Sequence, residues 1–219
     1  MKLALVVPAL NEEETVRALV EAGRTLGHVI VVDDGSTDRT AEAAREVGAT
    51  VVRHASNQGY DRALESGFTA AGELGVGAIV TLDADGQHHL DDVGAVSAPV
   101  VEGRMQLVLG RRPETARWSE EAFNRYTRWR FGVPDILCGI KAFSIELYRR
   151  HERVLGRPSI GTGLALAGLR DGVSHLSVEV SVLPRRGPSR FGHGLRADRR
   201  ILAALGAAVI EDLRRPRGS

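Results

Sequence analysis

Cysteine is almost absent from this chain of 219 residues, in which Cys138 is the single example. One thiol cannot form an internal disulfide and gives no cysteine spacing of the kind that zinc sites use. We therefore expect a protein of a reducing compartment, the cytoplasm. The apolar run at 3–10 is short, contains a proline and leads straight into three glutamates, so it does not match a signal peptide.

Long apolar runs and aromatic residues are also scarce. The longest uncharged stretch near the C-terminus, 201–210, is about half as long as a membrane-spanning helix requires. Aromatic residues make up 5% of the chain and no nucleic-acid motif is present, so nucleic acid is not an expected partner. A length of 219 residues with 43% hydrophobic content fits one globular domain.

Lysine is scarce as well, with 2 lysines against 27 arginines. The formal net charge of +1 conceals a strong asymmetry between the two halves of the chain. Residues 1–100 carry 16 acidic and 7 basic side chains, a net charge of −9, whereas residues 101–219 carry 12 acidic and 22 basic ones, a net charge of +10. This division suggests a cation site beside a phosphate site, or a basic surface for anionic lipid.

Short apolar runs alternate with amphipathic stretches, which predicts a doubly wound α/β fold with a mostly parallel sheet. Asn11, followed three residues later by Glu14, suggests a helix N-cap with a capping box. The C-terminal stretch mixes leucine and isoleucine with arginine, so its helix is expected to rest on an anionic membrane or to pack on the core or a second subunit. The patterns predict strands at 3–8, 28–32, 50–53, 78–82, 106–110 and 174–183, and helices from Asn11 and at 38–47, 59–73, 118–131, 163–172 and 195–213.

Two aspartates follow directly after the apolar run at 78–82. A buried strand that ends in this way brings Asp83 and Asp85 to the carboxyl edge of a sheet, where open α/β folds bind ligands. Such paired carboxylates repel each other unless a cation lies between them. Mg²⁺ or Mn²⁺ meets that need and also holds substrate phosphates. The alternative is an ordinary solvated turn.

Polar clusters also occur elsewhere along the chain, several of them directly after predicted strands. The motifs are Pro8-Ala-Leu-Asn-Glu12, Val32-Asp-Asp-Gly-Ser-Thr-Asp38, Asn57-Gln-Gly-Tyr60, Asp83-Ala-Asp-Gly-Gln87, Gly110-Arg-Arg112, Asp135-Ile-Leu-Cys-Gly-Ile-Lys141 and Arg185-Arg-Gly-Pro-Ser-Arg190. Their order and spacing resemble the inverting family 2 glycosyltransferases with the GT-A fold, in the branch that contains dolichol-phosphate mannose synthases and bacterial polyprenyl-phosphate sugar transferases. The resemblance implies a GT-A domain over residues 1–192. Residues 193–219 then form a basic amphipathic helix and tail that either belong to this domain or face a membrane or a partner.

The resemblance implies a nucleotide-diphosphate sugar as donor, of the GDP-mannose or UDP-glucose type. Asp34, with Asp33 as the alternative, is expected to bind the base or ribose, and Val32 to line the base slot. The expected donor-binding residues are Pro8, Ala9, Asn11, Glu12, Val32, Asp34, Asp83, Ala84, Asp85 and Arg185. The expected ligands of the divalent metal are Asp83, Asp85 and Gln87.

The basic half is expected to receive the acceptor. The guanidinium of Arg112 suits bidentate binding of phosphate. A hydroxyl acceptor needs a general base, for which Asp135 is the candidate, with a purely structural role as the alternative. A phosphate acceptor is already anionic and needs only positioning and charge neutralisation. The expected catalytic residues are Asp85, Arg112 and Asp135, and the expected acceptor-phosphate residues are Arg112, Cys138, Lys141, Ser189 and Arg190.

The expected activity is a metal-dependent inverting transfer of a hexose to a polyprenyl (dolichyl or undecaprenyl) phosphate by a protein peripheral to the inner face of a membrane. One alternative keeps the donor but uses a soluble small-molecule acceptor, and another is a non-catalytic nucleotide-binding module at the membrane. The sequence leaves a homodimer open. A dinucleotide-dependent oxidoreductase is disfavoured, because no glycine-rich turn follows the first strand.

Overall fold

The computed structural model describes residues 1–86, 89–114, 117–152, 160–181 and 195–214. Its strands are β1 Leu3–Ala9, β2 His28–Asp33, β3 Thr50–Arg53, β4 Ala78–Thr81, β5 Leu107–Arg111, β6 Lys141–Ser144 and β7 His175–Glu179. Its helices are α1 Glu13–Gly23, α2 Thr40–Glu46, α3 Tyr60–Glu73, α4 Leu90–Val101, α5 Trp118–Phe131, α6 Ile145–Arg150, α7 Ile160–Arg170 and α8 Leu195–Arg214.

The described strands form one seven-stranded sheet in the order β3-β2-β1-β4-β6-β5-β7. The pairs β1–β2, β1–β4, β2–β3 and β5–β7 are parallel, whereas β6 is antiparallel to both β4 and β5. The predicted α/β fold with a mostly parallel sheet is therefore confirmed. The patterns did not predict β6, α4 or α6; β6 has four residues and begins with a lysine, so it offers little apolar periodicity to detect.

Helices cover both faces of the sheet and enclose two hydrophobic cores. α1, α2 and α4 bury Val16, Val20, Ala44 and Val96 against one face. α3 and α5–α8 cover the other face, where Phe68 lies between Phe143 and Tyr148 with ring centroids at 5.6 and 5.4 Å. Every residue of β1 is buried, as expected of a central parallel strand.

Asn11 does not cap α1, which corrects the capping-box prediction. The helix begins at Glu13, and Glu12 is its N-cap residue, without a side-chain cap bond. Asn11 has a φ of 51°, which turns the chain away from the strand direction, and its Oδ1 accepts a hydrogen bond from Thr37 N at 2.8 Å. Its side chain thus joins the loop after β1 to the loop after β2.

The connectivity of the sheet creates a crevice between β1 and β4. From β1 the chain proceeds outwards to β2 and β3, and it then crosses to β4 on the opposite side of β1. Ligands bind at such switch points, outside the carboxyl ends of the strands. The segments that leave β1, β2 and β4 carry the polar clusters of the sequence, so the fold gathers them at one edge.

Candidate active site

Main-chain and hydroxyl contacts hold the loops after β1 and β2 together. The amide of Asp34 donates to the carbonyl of Ala9 at 2.9 Å. The amide of Asn11 donates to Ser36 Oγ at 2.9 Å, and that of Glu12 donates to Thr40 Oγ1 at 2.8 Å. This edge of the crevice is therefore a cross-linked unit.

The carboxylate of Asp34 holds the loop that leads into α3. Its Oδ1 accepts from Gln58 N at 2.9 Å, its Oδ2 accepts from Gly59 N at 2.8 Å, and His54 Nδ1 lies 2.7 Å from Oδ1. The other ring nitrogen of His54 lies 2.9 Å from Ser66 Oγ on α3. Gly59 has a φ of 95°, a conformation that favours glycine. Any contact of Asp34 with a base must therefore be made in addition to these bonds.

Asp33, the alternative for the base contact, is turned inward. Its side chain is fully buried, and its Oδ1 accepts from Ser36 N at 2.9 Å, a side-chain-to-backbone bond within the turn after β2. Arg53 Nε lies 3.1 Å from its Oδ2, an ion pair without the alignment of a hydrogen bond. Asp33 therefore fixes the turn after β2 and is not available to a ligand.

The first aspartate after β4 is held in place from two sides. The hydroxyl of Tyr60 donates to Asp83 Oδ1 at 2.9 Å. The backbone of Gly139 approaches so closely that a β-carbon at this position would lie 2.5 Å from Asp83 Oδ2. Burial raises the pKa of the Tyr60 hydroxyl well above its ordinary value, and the charge of Asp83 adds to the effect. The sequence did not predict that Tyr60 and Gly139 contact Asp83, because they lie 23 and 56 positions away from it in the chain.

The donor atoms at the end of β4 fit a hard divalent cation. Asp83 is half-buried and Asp85 is 5% exposed, so both carboxylates are shielded from bulk water. Within the described residues no group of three or more histidine, cysteine, aspartate or glutamate side chains is arranged around a common point. Mg²⁺ nevertheless binds through one or two carboxylates when water and substrate phosphates supply its other ligands. Gln87, the third predicted ligand, lies outside the described residues.

A buried ion pair lies on the basic side of the sheet, between the end of β5 and the loop before β6. Arg112 donates from Nε to Asp135 Oδ2 at 2.8 Å and from Nη2 to Oδ1 at 3.0 Å, and its backbone amide donates to Oδ2 at 3.1 Å. Arg112 Nη2 also donates to Glu120 Oε2 at 3.0 Å. Asn124 Nδ2 donates to Asp135 Oδ1 at 3.3 Å. The bidentate geometry expected for a phosphate is used here to bind a carboxylate.

This pairing determines the charge states of both groups. Burial works against the charged form of Asp135, but the hydrogen bonds and charge of Arg112 outweigh it and lower the pKa of the carboxyl. Burial likewise disfavours the charged guanidinium, yet its contacts with Asp135 and Glu120 outweigh burial and raise the pKa of Arg112 above its ordinary value. A carboxylate that accepts four hydrogen bonds and has a lowered pKa is a poor general base. The geometry agrees with the structural alternative for Asp135.

Lys141 and Cys138 are buried close to each other and to Asp135. Burial lowers the pKa of Lys141, and the charges of Asp135 and Asp83 oppose this effect, so the ammonium lies within the field of both aspartates. Lys141 Nζ donates to the carbonyl of Cys138. The Cys138 thiol is fully buried, and burial raises its pKa to about 11. A buried neutral thiol cannot contact an acceptor phosphate, which corrects the prediction for Cys138.

A cleft of about 610 Å³ opens beside the ion pair. Two arginines in addition to Arg112 face it, together with acidic residues and prolines. Arg111 and Glu114 belong to the end of β5 and the segment after it, and Glu121 and Arg128 belong to α5. The lining residues are Arg111, Arg112, Pro113, Glu114, Glu121, Arg128, Pro134 and Asp135.

The other predicted residues divide into three groups. Pro8, Ala9 and Ala84 are buried at the edge of the crevice, and Glu12 is 9% exposed and accepts from Thr15 Oγ1 at 3.1 Å. Val32 is fully buried in the core, so its side chain offers no surface to a base, which corrects its predicted role. Arg185, Ser189 and Arg190 lie outside the described residues.

The model of the family "Glycosyl transferase family 2" matches residues 4–155, which contain β1 to α6 and the whole edge described above. The chain belongs to this family. It is thus an enzyme, a glycosyltransferase. It is 34% identical over 169 residues to an undecaprenyl-phosphate 4-deoxy-4-formamido-L-arabinose transferase of Pectobacterium carotovorum, across 68% of the chain and 49% of that protein. It is 32% identical over 127 residues to a UDP-N-acetylglucosamine–dolichyl-phosphate N-acetylglucosaminyltransferase of Methanococcus voltae, across 49% of the chain and 51% of that protein.

The chain thus matches about half the length of these two relatives. Among solved structures, glucosyl-3-phosphoglycerate synthase from Mycobacterium tuberculosis with bound phosphoglyceric acid superposes with a TM-score of 0.74, at 25% identity, over 94% of this chain and 79% of that one. The same enzyme with Mn²⁺, uridine diphosphate and phosphoglyceric acid gives a TM-score of 0.73 at 24% identity, over 94% and 78% of the two chains. These likenesses confirm the predicted GT-A fold.

Proposed function

We propose that this glycosyltransferase moves a hexose from a nucleotide-diphosphate sugar to a polyprenyl phosphate, with Mg²⁺ or Mn²⁺ bound by Asp83, Asp85 and Gln87. The observation that carries the proposal is the shielded carboxylate pair at the crevice between β1 and β4. Tyr60 joins this pair to the cross-linked loops after β1 and β2. Relatives whose names specify undecaprenyl and dolichyl phosphate support the choice of acceptor.

The residues of the crevice hold the donor. The loops carrying Glu12 and Asp34 form one wall, and the hydrogen bonds of Asp34 keep the start of α3 in position beside it. Tyr60 and Gly139 hold the Asp83 carboxylate in position at the end of β4. When bound, a divalent cation neutralises the diphosphate leaving group. The protein's part is to present its two carboxylates in a fixed geometry before the substrate arrives.

The charge pattern of the basic half favours a phosphate acceptor over a hydroxyl. A hydroxyl must lose its proton, and Asp135, the carboxylate nominated for that task, is paired with Arg112 and carries a lowered pKa. A phosphate oxygen attacks without such a base. Arg111 and Arg128 line the cleft, where their guanidinium groups can balance the charge of the phosphate. Arg185 and Arg190 remain candidates for the same task from the sequence alone.

A soluble phosphorylated acid is the second candidate acceptor. The structural relative with bound phosphoglyceric acid supports it, since it covers 94% of this chain. The cleft arginines would suit such an acid equally well. The two acceptors differ in where the labelled product partitions, so one assay separates them.

The test is a transfer assay with radiolabelled GDP-mannose, UDP-glucose and UDP-N-acetylglucosamine, each with Mn²⁺, Mg²⁺ or a chelator. The acceptors are undecaprenyl phosphate in detergent and 3-phosphoglycerate in buffer. We expect label in the organic phase, dependent on the metal. Label that stays in the aqueous phase with 3-phosphoglycerate would replace the lipid acceptor by the soluble one.

Asp85→Asn is the informative variant for the metal, with Asp91→Asn as its matched control. Asp91 is an exposed acid in the first turn of α4, the helix that follows the same loop. We expect Asp85→Asn to lower turnover by about two orders of magnitude or more, while Asp91→Asn turns over normally. Unchanged turnover of Asp85→Asn at every Mn²⁺ concentration would remove the metal site from the mechanism.

A further inference from the structure

The outward surface of α5 and α8 is apolar and basic. The large hydrophobic side chains left exposed in the described residues number nine, and five of them lie on these two helices. Trp129 and Leu213 are the most exposed, at 79% and 80%. The five are Trp118, Trp129, Leu202, Ile210 and Leu213, and we call them, with the helix faces that carry them, the α5/α8 face.

Helix geometry places the members of each helix on one side. Trp118 and Trp129 are eleven residues apart, about three full turns, and so are Leu202 and Leu213. The opposite side of α8 packs on the core through residues that include Ile201, Leu205 and Ala208. Leu202, Ile210 and Leu213 therefore form a second apolar stripe on α8, separate from the one that packs on the core.

The two helices lie side by side, so their exposed residues form one surface. Ser119, near the start of α5, donates to Asp198 Oδ1 near the start of α8. At the other end, Tyr126 donates to Asp212, and Arg130 Nε lies 3.4 Å from the same carboxylate. The exposed tryptophans of α5 therefore border the exposed aliphatic stripe of α8.

Charge is distributed unequally around α8. Its three acidic residues all have partners within the protein: Asp198 is bonded to Ser119, and Asp212 and Glu211 are paired with Arg170. Arg199, Arg200 and Arg214 are exposed. On α5, the exposed acid Glu121 lies 3.8 Å from Arg128 and lines the cleft. The described part of the α5/α8 face thus combines aromatic and aliphatic groups with cations.

We propose that the α5/α8 face docks on an anionic membrane surface. Tryptophan and aliphatic side chains enter the headgroup region, and arginines at its border attract anionic lipids. A second copy of the chain fits less well, because two such faces would bring arginine against arginine. The described structure contains no helix long and apolar enough to span a membrane. Because Glu121 and Arg128 of α5 also line the cleft, docking would bring the cleft mouth to the lipid headgroups.

The test is co-sedimentation of the purified chain with vesicles of phosphatidylcholine alone and of phosphatidylcholine mixed with phosphatidylglycerol. We expect binding to the anionic vesicles that weakens with added salt. Trp129→Ser and Leu213→Ser should each weaken partitioning by about tenfold. Arg214→Ala should weaken it by about fivefold at low ionic strength.

The controls are Leu74→Ser, an exposed leucine after α3, and Arg149→Ala, an exposed arginine on α6. Both should bind vesicles normally. Equal binding of Leu213→Ser and the unaltered chain would overturn the proposal. So would self-association in the absence of vesicles that Leu213→Ser abolishes, since the face would then be a dimer interface.

The docking face deepens the proposed function but is tested separately from it. Vesicle binding is measured without donor, metal or acceptor. If the chain binds vesicles through the α5/α8 face but transfers sugar only to a soluble acid, the docking proposal stands and the lipid acceptor is contradicted. If the chain transfers sugar to undecaprenyl phosphate in detergent but does not bind anionic vesicles, the proposed function stands and the docking proposal is contradicted.

Discussion

At the residue scale, the main question concerns the arginine after β5. Arg112 can clamp a phosphate or it can neutralise Asp135, and the structure shows it bonded to Asp135 through two side-chain nitrogens. The Arg112 side chain is 19% exposed and that of Asp135 is 3% exposed. The pair is therefore shielded, and its loss should affect stability before it affects binding.

We predict that Arg112→Ala lowers the free energy of unfolding by about 3 kcal/mol, because it leaves a buried carboxylate without its partner. Arg111→Ala, at the exposed neighbour, should change it by about 0.5 kcal/mol or less. Urea unfolding followed by circular dichroism measures both. An Arg112→Ala variant with unchanged stability but lost transfer would instead mark this arginine as a phosphate ligand.

A second residue-scale prediction concerns Tyr60, which positions Asp83 through one hydrogen bond. Tyr60→Phe should keep the fold, because one such bond contributes about 1 kcal/mol. The Mn²⁺ concentration for half-maximal activity should rise severalfold, with a smaller change in maximal rate, since the carboxylate loses its fixed orientation.

Tyr126→Phe is the matched control for Tyr60→Phe. It also removes a hydroxyl that donates to an aspartate, but at the contact between α5 and α8. A metal response of Tyr60→Phe identical to that of Tyr126→Phe would show that Tyr60 has only a structural role.

At the scale of elements, α8 depends on one arginine of α7. The Arg170 side chain is 4% exposed, pairs with Asp212 and Glu211, and donates from Nη2 to the carbonyl of Ala208 at 2.9 Å. We predict that Arg170→Met destabilises the protein by about 3 kcal/mol and speeds amide exchange in α8 more than in the helices on the opposite face.

Hydrogen exchange read by mass spectrometry measures that difference, and Arg128→Met provides the control. Arg128 is exposed and lies 3.8 Å from Glu121, so its loss should change little. Uniformly faster exchange throughout the chain in Arg170→Met would mean that α8 does not open as a separate unit.

At the scale of the whole molecule, buried and paired carboxylates set the response to acid. Burial opposes ionisation of Asp135 and Asp212, but hydrogen bonds and nearby arginines outweigh it, and both carboxyls have lowered pKa values. The unfolded chain therefore binds more protons than the native one as the pH falls past the ordinary aspartate pKa of about 3.9.

We predict that the stabilisation from these carboxylates is fully present above about pH 5 and is lost as the pH falls from about 4 through the lowered native pKa values. Urea midpoints measured across this range test the prediction. In Asp212→Asn, stability should fall less steeply with decreasing pH, because one of the groups no longer titrates. An unchanged pH dependence of the urea midpoint in that variant would show that Asp212 has an ordinary pKa in the folded protein.

Much of the fold, and the family, could be predicted from patterns of neighbouring residues in the sequence. Strands β1 to β4 were predicted to within one residue at each end, because each is a short apolar run that ends in polar turn residues. The carboxylates after β4 were found for the same reason. β6 was not, because an antiparallel insertion between β4 and β5 is stabilised by its neighbours and leaves little periodicity in four residues.

The sequence alone determined the α/β class, the family, and the two carboxylates at the end of β4, since each depends on residues close together in the chain. Only the tertiary structure decided what those side chains contact. It paired Arg112 with Asp135, buried Val32 and Cys138, set Tyr60 against Asp83, and paired Asp212 of α8 with Arg170 of α7. These contacts join residues far apart in the chain, and burial and hydrogen-bond partners arise only when the elements pack.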